Sequence, residues 1–372
     1  MSRDAWLAVL HASYTGASGI RSLLGSDCEV SDLLKLSKHD LVSAGLESTT
    51  AERLINPDES RLDVSREWLQ HDNRSIVTLD DADYPPLLRA VADPPLALWI
   101  EGSKPELLRA PQLAMVGSRN PTRGGVETAE RFARYLGDHG LTITSGLATG
   151  IDSACHRGGL KSEAGTIAVL GSSLDQIYPA TNLELANRIA TEGLLVSEYP
   201  PVTAARPIHF PQRNRIIAAL SVGTFVVEAT RRSGSLITAR LAAEYGREIF
   251  AMPGSIHSPL ARGCHRLIKD GAKLVEDASD ILVELAAILQ LDFRDETPSE
   301  PIDDSRSALT EQPGYSDLLQ AMGFEPCSLV DISTRTGLTT AELSSMLLLL
   351  ELEGFVEAQP GGLYSRLPKR TA

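Results

Sequence analysis

The chain has 372 residues, 42% of them hydrophobic and 23% charged, with a formal net charge of -14. That length is too great for one ordinary core and the balance is that of a soluble globular protein, so two or three domains are expected. The acidic total excludes indiscriminate coating of DNA or of an anionic membrane, and any nucleic-acid contact must therefore be a focused patch. The cysteines (Cys28, Cys155, Cys264 and Cys327) lie far apart without paired spacing, which fits reduced cytoplasmic thiols and excludes a disulfide framework or a zinc site. The start, Met-Ser-Arg-Asp-Ala-Trp, lacks the apolar run of a signal peptide, and the longest apolar run, Met346 to Leu350, is too short to cross a bilayer.

Residues 1–72 read as a small helical domain. Trp6, Leu7 and Leu10 have helical spacing, Tyr14 to Gly19 is a turn, and Ile20, Leu23 and Leu24 restart an apolar face. A Gly-containing turn between short helices either offers its N–H groups to a phosphate, as helix-hairpin-helix and SAM-like modules do, or simply connects helices; only Arg21 lies close by. Asn56-Pro57-Asp58 breaks the pattern, and a further helix is expected near 61–71.

Prolines punctuate 80–95 at Tyr84-Pro-Pro86 and Asp93-Pro-Pro95, and Leu96 to Ile100 reads as a strand. A regular alternation then begins. Strands are expected at 113–116, 141–144, 166–170, 194–196, 224–227, 248–251 and 273–275, with helices between them. The first of those helices carries Ala129, Phe132, Ala133 and Leu136 at i, i+3, i+4 and i+7. A closing helix, Ala278 to Leu289, has Ile281, Leu285 and Ile288 on one face. Short apolar strands alternating with helices predict an α/β domain over 73–290 with an extended Rossmann-like parallel sheet covered on both faces. Ligands of such sheets bind outside the carboxyl ends of the strands at the switch point, and the Gly/Ser/Arg loops here all follow strands.

Residues 291–313, rich in Asp, Glu, Pro and Ser, read as a flexible linker. Over 314–372, three helices and a hairpin at 356–364 make a winged-helix pattern. Its third helix, 339–353, carries Leu343, Met346, Leu347 and Leu350 on one face, widened by Leu348 and Leu349. It also carries Glu342, Glu351 and Glu353 without Lys or Arg, which favours protein contact over DNA reading.

The loops carry the chemistry. Between Arg206 and Arg240 stand six arginines against one acid, Glu228, a basic block on an acidic chain. Gly117-Ser118-Arg119 ends the first parallel strand with a close-approach glycine and a charged fork. It is neither Gly-x-Gly-x-x-Gly nor a Walker loop. Arg213-Asn214-Arg215 opens a helix after Pro211, and Ser233-Gly234-Ser235 opens the next. Both could hold an anion on free N–H groups, or Ser235 could simply cap its helix. Phe210 beside the cations suits a base. Asp152 reads as an N-cap; with His156 it could form an acid–base pair, though local hydrogen bonding serves as well. Glu198 and Glu228 could be a catalytic pair, but without a nucleophile, base or metal cluster they are expected to hold arginines. Arg240, inside a helix, is expected to pair with Glu228 or Glu244.

Laid out together, these residues resemble the DNA-processing protein A (DprA/Smf) family. The resemblance rests on Val116-Gly-Ser-Arg119, Ser145-Gly-Leu-Ala-Thr-Gly-Ile-Asp152 with His156, Thr166-Ile-Ala-Val-Leu-Gly171 with Tyr178-Pro179, and Ser197-Glu-Tyr-Pro-Pro201. It continues in Phe210-Pro-Gln-Arg-Asn-Arg-Ile-Ile217, Val227-Glu-Ala229, Ser233-Gly-Ser-Leu-Ile-Thr-Ala-Arg240, Pro253-Gly254, and Gly263-Cys-His with Asp270-Gly-Ala272. It implies a cytoplasmic protein of natural transformation that binds and protects incoming single-stranded DNA, helps load the RecA recombinase, turns over no substrate and needs no cofactor or metal. It assigns DNA contact to Gly117, Ser118, Arg119, Phe210, Arg213, Asn214, Arg215, Ser233 and Gly234, and homodimer contact to His265, Leu267 and Ile268. Many members have a basic residue where this chain has Ala180 and another where it has Thr149, which implies weaker or redistributed strand contact. A rival reading is a Rossmann-like enzyme or sensor for a nucleotide-like small molecule, though the Pro-Gly-Gly-x-Gly-Thr loop of the lysine-decarboxylase-like nucleotide hydrolases is missing. A third is an adaptor working through the C-terminal domain.

Overall fold

The computed structural model describes residues 3–12, 20, 30–289, 314–323, 326–359 and 361–367. The turn expected at Tyr14 to Gly19, with Arg21, Leu23, Leu24, Cys28 and the linker, lies outside the described residues. The chain forms two compact units, Met1–Leu291 and Asp292–Ala372.

The first unit is built on a sheet of nine strands: β1 Arg74–Thr78, β2 Ala97–Gly102, β3 Gln112–Val116, β4 Thr142–Ser145, β5 Thr166–Leu170, β6 Leu194–Ser197, β7 Gly223–Val226, β8 Glu248–Ala251 and β9 Lys273–Leu274. Their spatial order is β1-β2-β6-β5-β4-β3-β7-β8-β9. From β3 to β9 all pairings are parallel, as the alternation predicts. The strand expected at 96–100 does not extend that pattern: β2 joins β6 antiparallel and carries β1, a half-buried edge strand, also antiparallel. From β3 the chain adds β4, β5 and β6 outward, then crosses back to place β7 on the other side of β3. The switch point thus lies between β3 and β7, with Val116 level with Val226.

Strand residues alternate between two cores. Trp99, Ala168, Leu170 and Leu195 face one side, where they share a core with the N-terminal helices, including Trp6, Leu33, Leu54 and Trp68. Trp68 meets Trp99 edge-on at 5.5 Å. The helix expected near 61–71 runs Glu59–Trp68 and starts where the Asp58 side chain accepts from Ser60 N. Leu98, Ile100, Val116, Val169 and Val226 face the other side, against Ile216 and Ile217 of helix His209–Leu220, Ala239 of helix Ser235–Glu244 and Cys264 of helix Arg262–Lys269. In helix Ala278–Leu289, Ile281 and Leu285 are buried but Ile288 is 52% exposed, so the covered stripe ends a turn earlier than its spacing suggests.

The second unit has helices Tyr315–Met322, Leu329–Thr336 and Thr340–Leu352, and a small antiparallel sheet of β10 Cys327–Ser328, β11 Val356–Gln359 and β12 Leu363–Arg366. Leu318, Met322, Ile332, Leu343, Leu347 and Leu350 form its core. Glu342 is occupied in a capping box, accepting from Thr339 N at 2.9 Å and Thr339 Oγ1 at 2.7 Å. Leu348 and Leu349 are not part of the buried face; with Leu352 they are exposed. Among the described residues no helix is long and apolar enough to cross a membrane.

Candidate nucleic-acid interface

A cleft of about 680 Å³ opens at the switch point, lined among others by Gly117, Ser118, Arg119, Phe210, Arg213, Asn214, Ser233 and Gly234. Residues more than a hundred positions apart therefore meet at the ends of β3 and β7.

The loop after β3 is locked by the loop after β4. A Cβ on Gly117 would sit 2.7 Å from the Ile151 side chain, and Gly150, at φ 83°, lies so close to Ser118 O that no side chain fits there. Ile151 N donates to Ser118 O at 3.1 Å, and Thr149 Oγ1 to Arg119 O at 3.3 Å. Ser118 Oγ accepts from Asn120 N. Glu228 accepts from Thr122 N at 3.0 Å and Thr122 Oγ1 at 2.6 Å. Glu228 therefore ties the loop after β7 to the loop after β3, and does not hold an arginine as expected. Burial pushes its carboxyl up, while Thr122 opposes that.

Arg119 is exposed, and among the described residues no carboxylate pairs with it. Its guanidinium lies over the Phe210 ring, 5.8 Å from the centroid. Phe210 in turn leans on Tyr178 at 5.5 Å and 49° and backs onto Gly171, where a Cβ would stand 3.1 Å from the ring. A cation and two tilted rings thus share one wall. Tyr178, 54% exposed, was not among the expected site residues; its place in the loop after β5 was the available signal.

Arg213 and Arg215 part company. Arg213 is buried: Nη1 donates to Gly146 O and to Val169 O, and Nε to Asn214 Oδ1 at 3.1 Å. Desolvation lowers it to about 10, with Asp152 pulling the other way, so it remains a cation at neutral pH. A side chain on Gly146 would collide with that guanidinium. Arg213 therefore builds the cleft wall more than it reaches outward. Arg215 is absent from the cleft. It donates to Glu198 Oε1 and to Asp93 O, the latter at 2.7 Å, with a side chain 14% exposed. Two residues are about 200° of helical rotation, so adjacent arginines of an Arg-x-Arg pair cannot face one pocket. Glu198 does hold an arginine, as expected.

Asp152 is the second residue of helix Ile151–Gly159, whose N-cap is Gly150; it is not the cap. It lines the cleft, accepts from Ala148 N at 3.4 Å, and is pushed up by burial against the pull of Arg213. His156 is locked. Thr166 Oγ1 donates to Ile143 O at 2.6 Å, so His156 Nδ1, 2.8 Å from the same hydroxyl, must be the donor, leaving Nε2 to accept from Leu147 N at 3.3 Å. Both roles require neutral imidazole, and burial lowers its pKa to about 3. The pair is thus local scaffolding.

Gly234 is the N-cap of the next helix, which has no side-chain cap; the Ser233 hydroxyl lies 2.7 Å from Ser235 Oγ and accepts from Ser235 N. Ser235 is the first helical residue, not the cap, and Gly234 faces open space. Arg240 pairs with Glu244 at 3.7 Å. Of the residues expected at a dimer contact, His265 is half-buried with Nε2 2.9 Å from Gly254 O, and Leu267 and Ile268 pack partly against the sheet core. Among the described residues no cluster of His, Cys, Asp and Glu stands ready for a metal.

Residues 75–286 match the family described as DNA recombination-mediator protein A, and residues 302–362 the DprA winged helix domain. Over 328 residues the chain is 39% identical to protein Smf of Escherichia coli, spanning 88% of this chain and 86% of that protein. It is 44% identical to the DNA processing protein DprA of Streptococcus pneumoniae over 63% of this chain and 80% of that protein. The X-ray structure of the Streptococcus pneumoniae DprA superposes with a TM-score of 0.67 at 37% identity, over 76% of this chain and 98% of that one. A structure of DNA processing protein A from Helicobacter pylori, described by its single-stranded DNA binding mode, gives 0.52 at 30% identity, over 57% and 97%.

Proposed function

Because the chain belongs to the DNA recombination-mediator protein A family, we propose that its cleft between β3 and β7 holds single-stranded DNA. The observation that carries this is the Arg119–Phe210–Tyr178 wall beside an exposed glycine turn. Sequence-tolerant binding of single strands takes cations for phosphates and rings for bases, and both stand here on one rigid edge. Gly117, Ser118, Asn214, Ser233 and Gly234 supply backbone and short polar donors that let the chain approach a phosphate. Arg213 sets the wall's shape and adds positive field from behind. The single-strand binding described for the Helicobacter pylori relative supports the same reading.

In this role the protein binds without turning over a substrate, protects incoming single strands in the cytoplasm during natural transformation, and passes them to RecA. The family resemblance is the support for that finer reading, and for a homodimer through the segment of His265, Leu267 and Ile268. Titration of labelled single- and double-stranded oligonucleotides, with the mass of each complex measured, tests it. Tighter binding of the single strand, lost in Arg119→Ala, is expected. Equal binding of both forms, or preference for an AMP-type ligand over oligo-dT in a thermal-shift screen, overturns it.

A further inference from the structure

A second groove, of about 590 Å³, runs between helix Ser235–Glu244 and helix Arg262–Lys269 and shares Ser233 and Ile237 with the first cleft. Arg231, Arg232, Arg240, Arg247 and Arg266 line it over a floor that includes Leu236 and Ile249. Their charges are not equally available. Arg240 is paired with Glu244 and Arg266 with Asp270. Arg247 Nη2 donates to Leu87 O at 3.2 Å, and its buried Nε has no partner. Arg231 and Arg232 are exposed, and among the described residues no carboxylate pairs with either. They directly precede Ser233, at the end of the groove joined to the cleft. Uncompensated positive charge is therefore concentrated at the junction and falls away along the groove.

We infer that this groove carries the flanking nucleotides of the same single strand, with Arg231 and Arg232 clamping phosphates as the strand leaves the first cleft. This rests on the cleft holding single-stranded DNA. Arginines at the edges of a partly apolar floor match a chain whose phosphates meet the charged edges while its bases rest on the floor. The shared wall makes the two grooves one path.

The test uses the full chain with two lengths of oligo-dT, about five and about twenty nucleotides, each titrated across a salt series. Arg231→Ala/Arg232→Ala is expected to weaken binding of the long oligonucleotide roughly tenfold, and to lower its salt slope by roughly 0.7 for each phosphate released, while leaving the short one unchanged. Arg119→Ala is expected to weaken both lengths. If the double variant binds both lengths like the parent, or weakens both equally, the extended path is wrong while the cleft stands. If Arg119→Ala changes neither length, the cleft reading itself fails. If the double variant alters the mass of the free protein, the groove is a contact between copies and the inference is overturned.

Discussion

At the scale of single residues, the partners an arginine already has decide whether it can touch a ligand. Arg119 is exposed and unpaired by any carboxylate among the described residues, whereas Arg215 is held by Glu198 and Asp93. Arg119→Ala is expected to lower the salt slope of single-strand binding by roughly one, read from titrations between low and moderate salt. Arg215→Ala is expected to leave that slope unchanged and to cost about 2 kcal/mol of stability through the stranded Glu198, read by denaturant melts. His156 gives a pH prediction. Its folded-state pKa, about 3, lies below the unfolded value near 6.5, so the unfolded chain binds the extra proton and stability falls as pH drops from about 6.5 toward 3. Asp152 and Glu228, both raised, act in the opposite sense at the acid end of that range. His156→Gln is expected to flatten the fall in melting temperature between pH 6.5 and 4; an unchanged profile would remove His156 as its source.

At the scale of elements, the loops work by interlocking, and Gly117, Gly146 and Gly150 stand where another backbone or side chain already fills the space. Gly150→Ala must take a φ of 83° and push on Ser118 O. It is expected to weaken single-strand binding severalfold and to destabilise the fold by about 1–3 kcal/mol, measured by titration and melting of the same sample. Much of this level is legible in the sequence. The apolar strands, the Gly/Ser/Arg loops at their ends and the winged-helix elements follow from period and punctuation alone. Roles that depend on three-dimensional partners do not. Nothing local tells that Gly234 and not Ser235 is the cap, or that Glu228 reaches Thr122 instead of an arginine. The antiparallel join of β2 to β6 is equally silent, because an apolar strand reads the same in either direction. The separation of Arg213 from Arg215 was legible in principle, since helical rotation alone sets it.

At the scale of the whole molecule, an acidic chain sets exposed arginines at the cleft and the groove beside it, and the proposed strand contact is confined to that track. The two compact units allow functions to be separated. A chain ending at Leu291 is expected to keep the single-strand affinity of the full protein within about twofold, measured by the same titration. The second unit has an acidic third helix with Leu348, Leu349 and Leu352 exposed, a surface suited to protein contact. RecA-filament assembly on the strand, compared between the full and shortened chains, tests whether that unit serves the proposed hand-over.

The switch point has one more consequence, for the order of events during synthesis. β3 is flanked by β4, which follows it closely, and by β7, which arrives only after β4, β5 and β6 have been made. The turn at Gly117 must wait for Phe210 and Ser233 to emerge before the cleft has both walls. Contacts of such long sequence separation form late. A chain still on the ribosome therefore passes through a stage in which much of its sheet exists but the cleft does not, and, on the proposed function, capture of oligonucleotide by arrested chains of increasing length would begin only beyond Ser235.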